Sequence, residues 1–413
     1  MNSDRVAPAA GPVRTAETAD LTVVGGAGHI GIPLVLAFAE AGLTVNVNDL
    51  NRTALDALAG GKLPFIEYGA EALLAKALAD ERLIFTDSPG KISRKSPVVV
   101  TIGTPVDEFL NPLQKVVQEC VDGLLPHMID GQLLVLRSTV FPGTTAWLGE
   151  HLRRQGRDIH LAYCPERVVQ GHGVKELREV PQIVSGITPE AEQKAGALFR
   201  LIAPELVSVT PIEAEFAKLF NNAYRYIEFA AANQFYMIAK SAGVDYQNVL
   251  RAMRHNYPRA KHMPGPGYAA GPCLFKDTMQ LAAFARNQFA LGQAAMLVNE
   301  GLVLDVVDHV RRNHDLSTMT VGLLGMAFKA EIDDTRASLS YKFKKLLKGL
   351  AREVLTTDPY VATDPDLKPL EEVIDRSDLL ILCAPHAAYR RADFKGKIVV
   401  DVWGLVGGAG VIR

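Results

Sequence analysis

The chain has 413 residues, 48% of them hydrophobic and 22% charged, with a formal net charge of −2. This is ordinary for a soluble protein of two to three domains, and it gives no electrostatic footprint for nucleic acid or an anionic membrane. No uninterrupted apolar run reaches roughly 18 residues, so no membrane-spanning helix is expected.

Residues 1–19 lack the apolar segment of a secretory signal and read as a disordered tail, which makes the cytoplasm the expected location. LTVVGG (21–26) reads as a buried strand, followed by a glycine turn and a helix from Ile30 to Ala41. Strands follow at TVNVND (44–49), PVVVTIG (97–103), QLLVLRS (132–138) and QIVSG (182–186), with helical stretches between them. Short β-branched runs alternating with helices predict a doubly wound parallel sheet. From Ile212 to Met253, and again from Asp277 to Asn313, the period is helical. Strand signals return at 317–325, 353–359, 378–385 and 397–404. The reading is an α/β chain: two Rossmann-like domains (20–211 and 315–413) joined by a central helical domain (212–314) with a long connecting helix.

Gly26, Gly28 and Gly31 form GAGHIG directly after the first strand and at the start of a helix. Glycines there allow a tight turn and close approach of a pyrophosphate to the helix N-terminus, with His29 and Ile30 in the same turn. Asp49 ends the second strand and suits a ribose diol, which favours NAD over NADP. Gly25 leaves the register of the motif open by one residue. The bland alternative is a glycine turn in a domain that binds nothing.

Cys120, Cys164, Cys273 and Cys383 are far apart with no CxxC pair, so no metal is expected and the thiols should be reduced. Most such cysteines are small buried apolar groups. Cys273 differs in following the loop PGPGYAAGPC and preceding LFKD, where Lys276 would favour a thiolate. A structural cysteine at a loop–helix junction is the equal alternative. Lys218 and Asn222 are four apart on a predicted helix and share a face, a pairing that suits a developing oxyanion but also an ordinary solvated face.

Seven motifs in order carry a resemblance over residues 20 to 413: GAGHIG, GTP (103–105), STVFPGTT (138–145), CPERVVQG (164–171), EAEFAKLFNNAYR (213–225), PGPGYAAGPCLFKD (264–277) and GMAFKAEIDDTRAS (325–338). The sequence resembles the UDP-glucose/GDP-mannose dehydrogenase family. The resemblance implies NAD-dependent, four-electron oxidation of the C6 alcohol of a UDP-sugar to a uronate, with an active site in the cleft between domains. It makes Cys273 the nucleophile that forms a thiohemiacetal and then a thioester. It makes Glu166 a general base near the thioester, and it gives Thr139 and Asp277 a shared water, Asp277 also being a possible helix cap. Thr104, Lys276 and Arg336 are implied on the NAD side. Lys329, Arg259 and Gly267 are implied on the substrate, along with Glu166, Lys218 and Asn222. Glu213 and Glu215 lie near the substrate region without an assigned role. Homodimerisation through the central helices is implied as well.

Three features depart from the family pattern: Ala270-Gly271-Pro272 before the cysteine, Gln234 after Asn233, and Trp403 in DVWG. They bear on which sugar is taken, with UDP-N-acetylmannosamine or UDP-N-acetylglucosamine slightly favoured over UDP-glucose. Two other readings fit part of the pattern: a two-electron hydroxyacid-type dehydrogenase, and a non-catalytic nucleotide-sugar-binding protein.

Overall fold

The central strands of the first sheet are buried on both faces. Val98 and Val100 turn into one apolar layer while Val99 turns into the other. The computed structural model describes residues 15–107, 113–407 and 410–412. Most of the expected N-terminal tail, residues 1–14, lies outside them. Its last residues are docked: Ala16–Thr18 form a short 3-10 turn, Ala19 is buried, and Ser93 Oγ donates to Glu17 O at 3.2 Å.

In chain order the elements are β1 (Leu21–Val24), α1 (Gly31–Glu40), β2 (Val45–Asn48), α2 (Arg52–Ala59), α3 (Ala70–Ala79), β3 (Leu83–Thr86), β4 (Val98–Val100), α4 (Gln114–Leu124), β5 (Leu133–Leu136), α5 (Thr144–Arg154), β6 (His160–Tyr163), α6 (Gly173–Glu176), β7 (Gln182–Gly186), α7 (Pro189–Phe199), β8 (Leu206–Ser208) and α8 (Pro211–Ser241). They continue with α9 (Tyr246–Arg254), α10 (Leu274–Phe284), α11 (Ala290–Asn313), β9 (Thr320–Leu324), α12 (Leu339–Leu347), β10 (Glu353–Thr357), α13 (Leu370–Arg376), β11 (Leu379–Leu382), β12 (Ile398–Val400) and β13 (Val411–Ile412).

The chain divides into two compact units at Lys218/Leu219, so α8 starts in the first and continues in the second. The first unit holds an eight-stranded sheet in the order β3-β2-β1-β4-β5-β6-β7-β8. Its strands are parallel through β6, but β7 runs antiparallel to β6, which corrects the all-parallel expectation. The reason lies in the connection. Between β6 and β7 the only helix is the four-residue α6. A parallel crossover needs an element that carries the chain back across the sheet.

The second unit holds the parallel sheet β10-β9-β11-β12-β13. Val321 and Leu323 of β9 pack with Tyr236, Leu250, Leu302, Val306 and Phe343 of the neighbouring helices, while Leu324 faces Val373 and Ile374 of α13. The second helical stretch is two helices rather than one, because Arg286 and Asn287 adopt positive φ (51° and 59°) and end α10. Against the expectation from uninterrupted runs, α11 holds an 18-residue window of mean hydropathy 1.4, enough by length and composition to cross a membrane. It nevertheless buries Leu302, Val303, Val306, Val307 and Val310 in the core of the unit, as a core helix does.

Candidate active site

In the first unit, β1 runs into a turn at Gly25, whose φ of +77° is open to glycine at little cost. Its N–H and that of Gly26 both donate to Asn48 O, at 2.8 and 3.2 Å. A Cβ on Gly31 would lie 2.3 Å from Gly25 O, so α1 can pack on the turn only with glycine there. A Cβ on Gly28 would meet only Gly25 O, at 3.4 Å. This settles the register: Gly25 supplies the bend, and Gly26, Gly28 and Gly31 are the fingerprint glycines. No side chain caps α1 at Ile30; within its first turn Ile32 N donates to Gly28 O at 2.9 Å and Pro33 has no N–H, so the amides open to an anion are those at Ile30 and Gly31. His29 lies 3.8 Å from the Phe65 ring and its Nδ1 is 3.1 Å from Gln170 Nε2. Asp49 follows β2 as expected. Its Oδ2 accepts from Ala27 N at 3.0 Å and its Oδ1 from Asn51 N at 2.9 Å, which fixes the carboxylate at the mouth of the turn. Thr104 and Thr139 are brought together, Thr104 Oγ1 donating to Thr139 O at 2.6 Å.

Glu166 is buried after β6 and held by residues that sequence reasoning missed. Arg137 Nε donates to its Oε2 at 2.9 Å, and Nη2 lies 2.5 Å from the same oxygen. Arg167 N and Val168 N donate to Oε1 at 2.6 and 2.7 Å. Burial alone would push this carboxyl up, but the Arg137 guanidinium, the Val168 N–H and the Lys218 ammonium together hold it below its ordinary value. Lys218 is thus placed within electrostatic reach of Glu166.

Glu213 and Glu215 prove to be helix caps. Glu213 accepts from Thr210 N at the head of α8 (2.8 Å), and Glu215 accepts from Gly143 N and Thr145 N at the head of α5 (2.6 and 2.8 Å).

In the second unit, Cys273 is exposed and occupies the N-cap position of α10. Asp277 is not the cap. It sits one turn later, fully buried, and accepts from Asn222 Nδ2 at 2.5 Å through Oδ2. Among the described residues its Oδ1 makes no hydrogen bond, and Lys276 Nζ lies 3.6 Å away. A buried carboxylate oxygen left open beside the cysteine helix suits a bound water or a substrate hydroxyl.

Lys276 thus lies within ion-pair distance of Asp277. A cation whose field includes Cys273 is Arg336, aligned by Asp334 through Nε (2.9 Å to Oδ2) and Nη2 (2.6 Å). The hydrogen bond and charge of Asp334, and after them Cys273, raise the Arg336 guanidinium. Gly271 N donates to Ala337 O at 3.2 Å, tying the cysteine loop to the loop that carries Lys329 and Arg336.

Gly267 lies against Trp403, whose ring atom would be 2.0 Å from any Cβ there. Asn233, also missed in the sequence, grips the Gly267 backbone through both its N–H (2.8 Å) and its O (3.0 Å). Trp403 thus shapes the loop at Gly267, whereas Gln234 faces solvent. Arg259 is exposed and stacks on Tyr257, its guanidinium 5.6 Å from the ring.

The other three thiols are pushed up by burial, Cys120 to about 11, Cys164 to about 12 and Cys383 further still. At pH 8 roughly one part in a thousand of Cys120 or less would be thiolate. Native alkylation with iodoacetamide is therefore expected to add one equivalent, at Cys273 by peptide mass; prior labelling at Cys120 would contradict this.

The comparisons complete this picture. Residues 19–203 match the UDP-glucose/GDP-mannose dehydrogenase family's NAD-binding domain, 212–301 its central domain and 322–407 its UDP-binding domain. The chain belongs to the UDP-glucose/GDP-mannose dehydrogenase family. It is similar to the UDP-N-acetyl-D-mannosamine dehydrogenase of Pyrococcus horikoshii, 30% identical and covering 91% of this chain and 93% of the relative. It is also similar to the NDP-N-acetyl-D-galactosaminuronic acid dehydrogenase of Ralstonia solanacearum, 28% identical over 92% and 95%. The solved UDP-D-ManNAc dehydrogenase structure from Pyrococcus horikoshii superposes with a TM-score of 0.88, at 26% identity over 95% of this chain and 97% of that one.

The chain is an NAD-dependent nucleotide-sugar dehydrogenase, and the fingerprint turn with Asp49 fits NAD. Asp49→Asn keeps the shape and removes the charge. It is expected to weaken NAD binding about tenfold (~1.4 kcal/mol) without weakening NADP, as read by fluorescence titration.

Proposed function

We propose that this dehydrogenase converts the C6 alcohol of a UDP-N-acetylhexosamine, of mannosamine or glucosamine type, to the uronate through covalent intermediates on Cys273. The observation that carries the mechanism is the placement of Cys273. It is an exposed thiol at the positive end of α10, one turn before Asp277 and in the field of Arg336. The substrate reading is supported by the relatives named for N-acetylated sugars.

NAD, when bound, takes up one hydride at each of the two oxidations. Lys218 and Asn222, four apart on α8, would steady the oxygen at the reacting carbon. Asp277, braced by Asn222, would hold a water that accepts the alcohol proton, with Thr139 as its second partner. The Cys273 sulfur adds to the aldehyde carbon and so retains it. After the second oxidation the same sulfur is the leaving group of a thioester: water attacks, the C–S bond breaks, and the carboxylate departs. Each sugar therefore gives up two hydrides and consumes one water, and three protons are released. Lys329, Arg259 and the loop at Gly267 are assigned to the UDP-sugar. Thr104, Lys276 and Arg336 are assigned to the NAD side, where Arg336 would face both NAD and the thiolate.

The exposed apolar side of α8 and α11, with Tyr224, Ile238, Leu291, Leu297 and Leu304, is assigned to a homodimer contact. The four free cysteines accord with the cytoplasm. The test is a substrate panel of UDP-N-acetylmannosamine, UDP-N-acetylglucosamine, UDP-glucose and GDP-mannose with NAD. The largest kcat/KM is expected for an N-acetylated UDP-sugar, by about tenfold or more. Preference for UDP-glucose or GDP-mannose would refute the substrate assignment.

A further inference from the structure

Helix α10 carries a buried polar side chain that the mechanism above does not use. Gln280 is 1% exposed, and its amide oxygen Oε1 is buried with no hydrogen bond among the described residues. Its neighbours on the helix, Thr278, Met279, Leu281 and Ala282, are buried as well. Thr278 is satisfied locally, its Oγ1 donating to Leu274 O at 2.7 Å. A buried acceptor without a partner is costly, and a bound water is the usual way to complete one. A second such acceptor stands one turn away. Asp277 Oδ2 is taken by Asn222 Nδ2, while Oδ1 is buried with no hydrogen bond. Residues three apart on an α-helix stand roughly 60° apart around the axis and about 4.5 Å apart along it. Cys273, seven positions before Gln280, falls within roughly 20° of the same line. The three residues therefore follow one stripe of α10, from the exposed thiol to the buried carboxylate and amide. A water that donates to two acceptors spans about 4.5 Å between them, which is the spacing one helical turn provides.

We propose that Gln280 is a positioning residue that shares one buried water with Asp277, its Oε1 accepting one hydrogen of the water and Asp277 Oδ1 the other. This rests on the nucleotide-sugar oxidation reading above and deepens it. With both hydrogens held, the water presents its lone pairs to the C6 alcohol. As the C6 hydride departs, the alcohol O–H bond breaks and its proton joins the water oxygen. One of the water's own protons passes to Asp277 Oδ1, so the water remains water and Asp277 becomes the acid. An amide oxygen is too weak a base to take that proton, so the transfer runs to Asp277 alone. Gln280 thus sets the direction of proton flow and acts only through the water.

The direct test is a high-resolution crystal structure of the resting protein. A water within about 3.2 Å of both Asp277 Oδ1 and Gln280 Oε1 is expected. A Gln280 amide oxygen bonded to a protein group, or a water on one of the two oxygens only, overturns the proposal. This readout needs no substrate, so it stands apart from the activity: a protein that makes no NADH from any nucleotide sugar refutes the functional reading instead.

In turnover, Gln280→Met, close in volume but without the acceptor, is expected to lower kcat about tenfold, with KM for the nucleotide sugar within about twofold. Its melting temperature should not fall, because an apolar side chain in that place needs no partner. The loss should depend on Asp277. In an Asp277→Asn background the same substitution is expected to cost less than about twofold, since the relay it directs is already gone. An equal loss in both backgrounds marks a merely structural role and contradicts the inference, as does an unchanged kcat in Gln280→Met. If the methionine variant does not fold, the water in the unaltered protein decides the question.

Discussion

Cys273→Ala is expected to reduce uronate formation at least about a thousandfold, equivalent to ~4 kcal/mol in the barrier, while NAD binding stays within about twofold. The argument is chemical. Without the thiol, the aldehyde is neither retained nor converted to a thioester, so the second oxidation loses its route. Little stability should be lost with it, because Cys273 is exposed. Thermal stability should therefore change little, and purified Cys273→Ala should bind NAD and UDP-sugar normally by calorimetry. A variant that still produces uronate at a tenth of the normal rate or faster would show that another group carries the acyl intermediate.

Gly31→Ala is expected to be strongly damaging to the first unit. The added Cβ would come within 2.3 Å of Gly25 O and 2.6–2.7 Å of Gly26 backbone atoms, none of which can rotate away. Either α1 retreats from β1 or the turn opens. Overpacking of this kind costs about 1–3 kcal/mol, and a shift at the turn also displaces the amides that would face the pyrophosphate. A lower melting temperature and at least tenfold weaker NAD binding are expected together. Gly28→Ala provides the contrast. Its nearest neighbour would be 3.4 Å away, so stability should hold while NAD affinity falls, because the methyl takes the space through which the pyrophosphate approaches. Equal effects on stability from the two substitutions would refute this division of roles.

The elements that sequence reasoning located best are those with a local signature. β7 was placed at its full length, and the α1 turn and Asp49 were in register, because β-branched runs, glycines and a strand-end acid are readable in one short window. The misses have a common cause in contacts distant along the chain. The direction of β7 depends on the lack of a crossover helix between Tyr163 and Gln182. The break after α10 is made by Arg286 and Asn287 at positive φ, with no glycine or proline to announce it. Arg137, Glu166 and Gln182 are joined only by folding. Glu213 and Glu215 carry no assigned role in the sequence because a carboxylate at a helix start bears no mark of whether it caps a neighbour; Thr210 three residues before Glu213 is the one signal available. Lys276 is adjacent to Cys273 in sequence, but its ion pair with Asp277 and the approach of Arg336 to Cys273 from 63 positions downstream appear only on folding.

The central claim is a four-electron oxidation through Cys273, and its most direct test is stoichiometry. With limiting UDP-N-acetylmannosamine and excess NAD, NADH is counted by absorbance and uronate by mass. Two NADH per uronate, with no free aldehyde trapped by an added amine, is the expected result. One NADH per product, with the aldehyde released, would contradict the account.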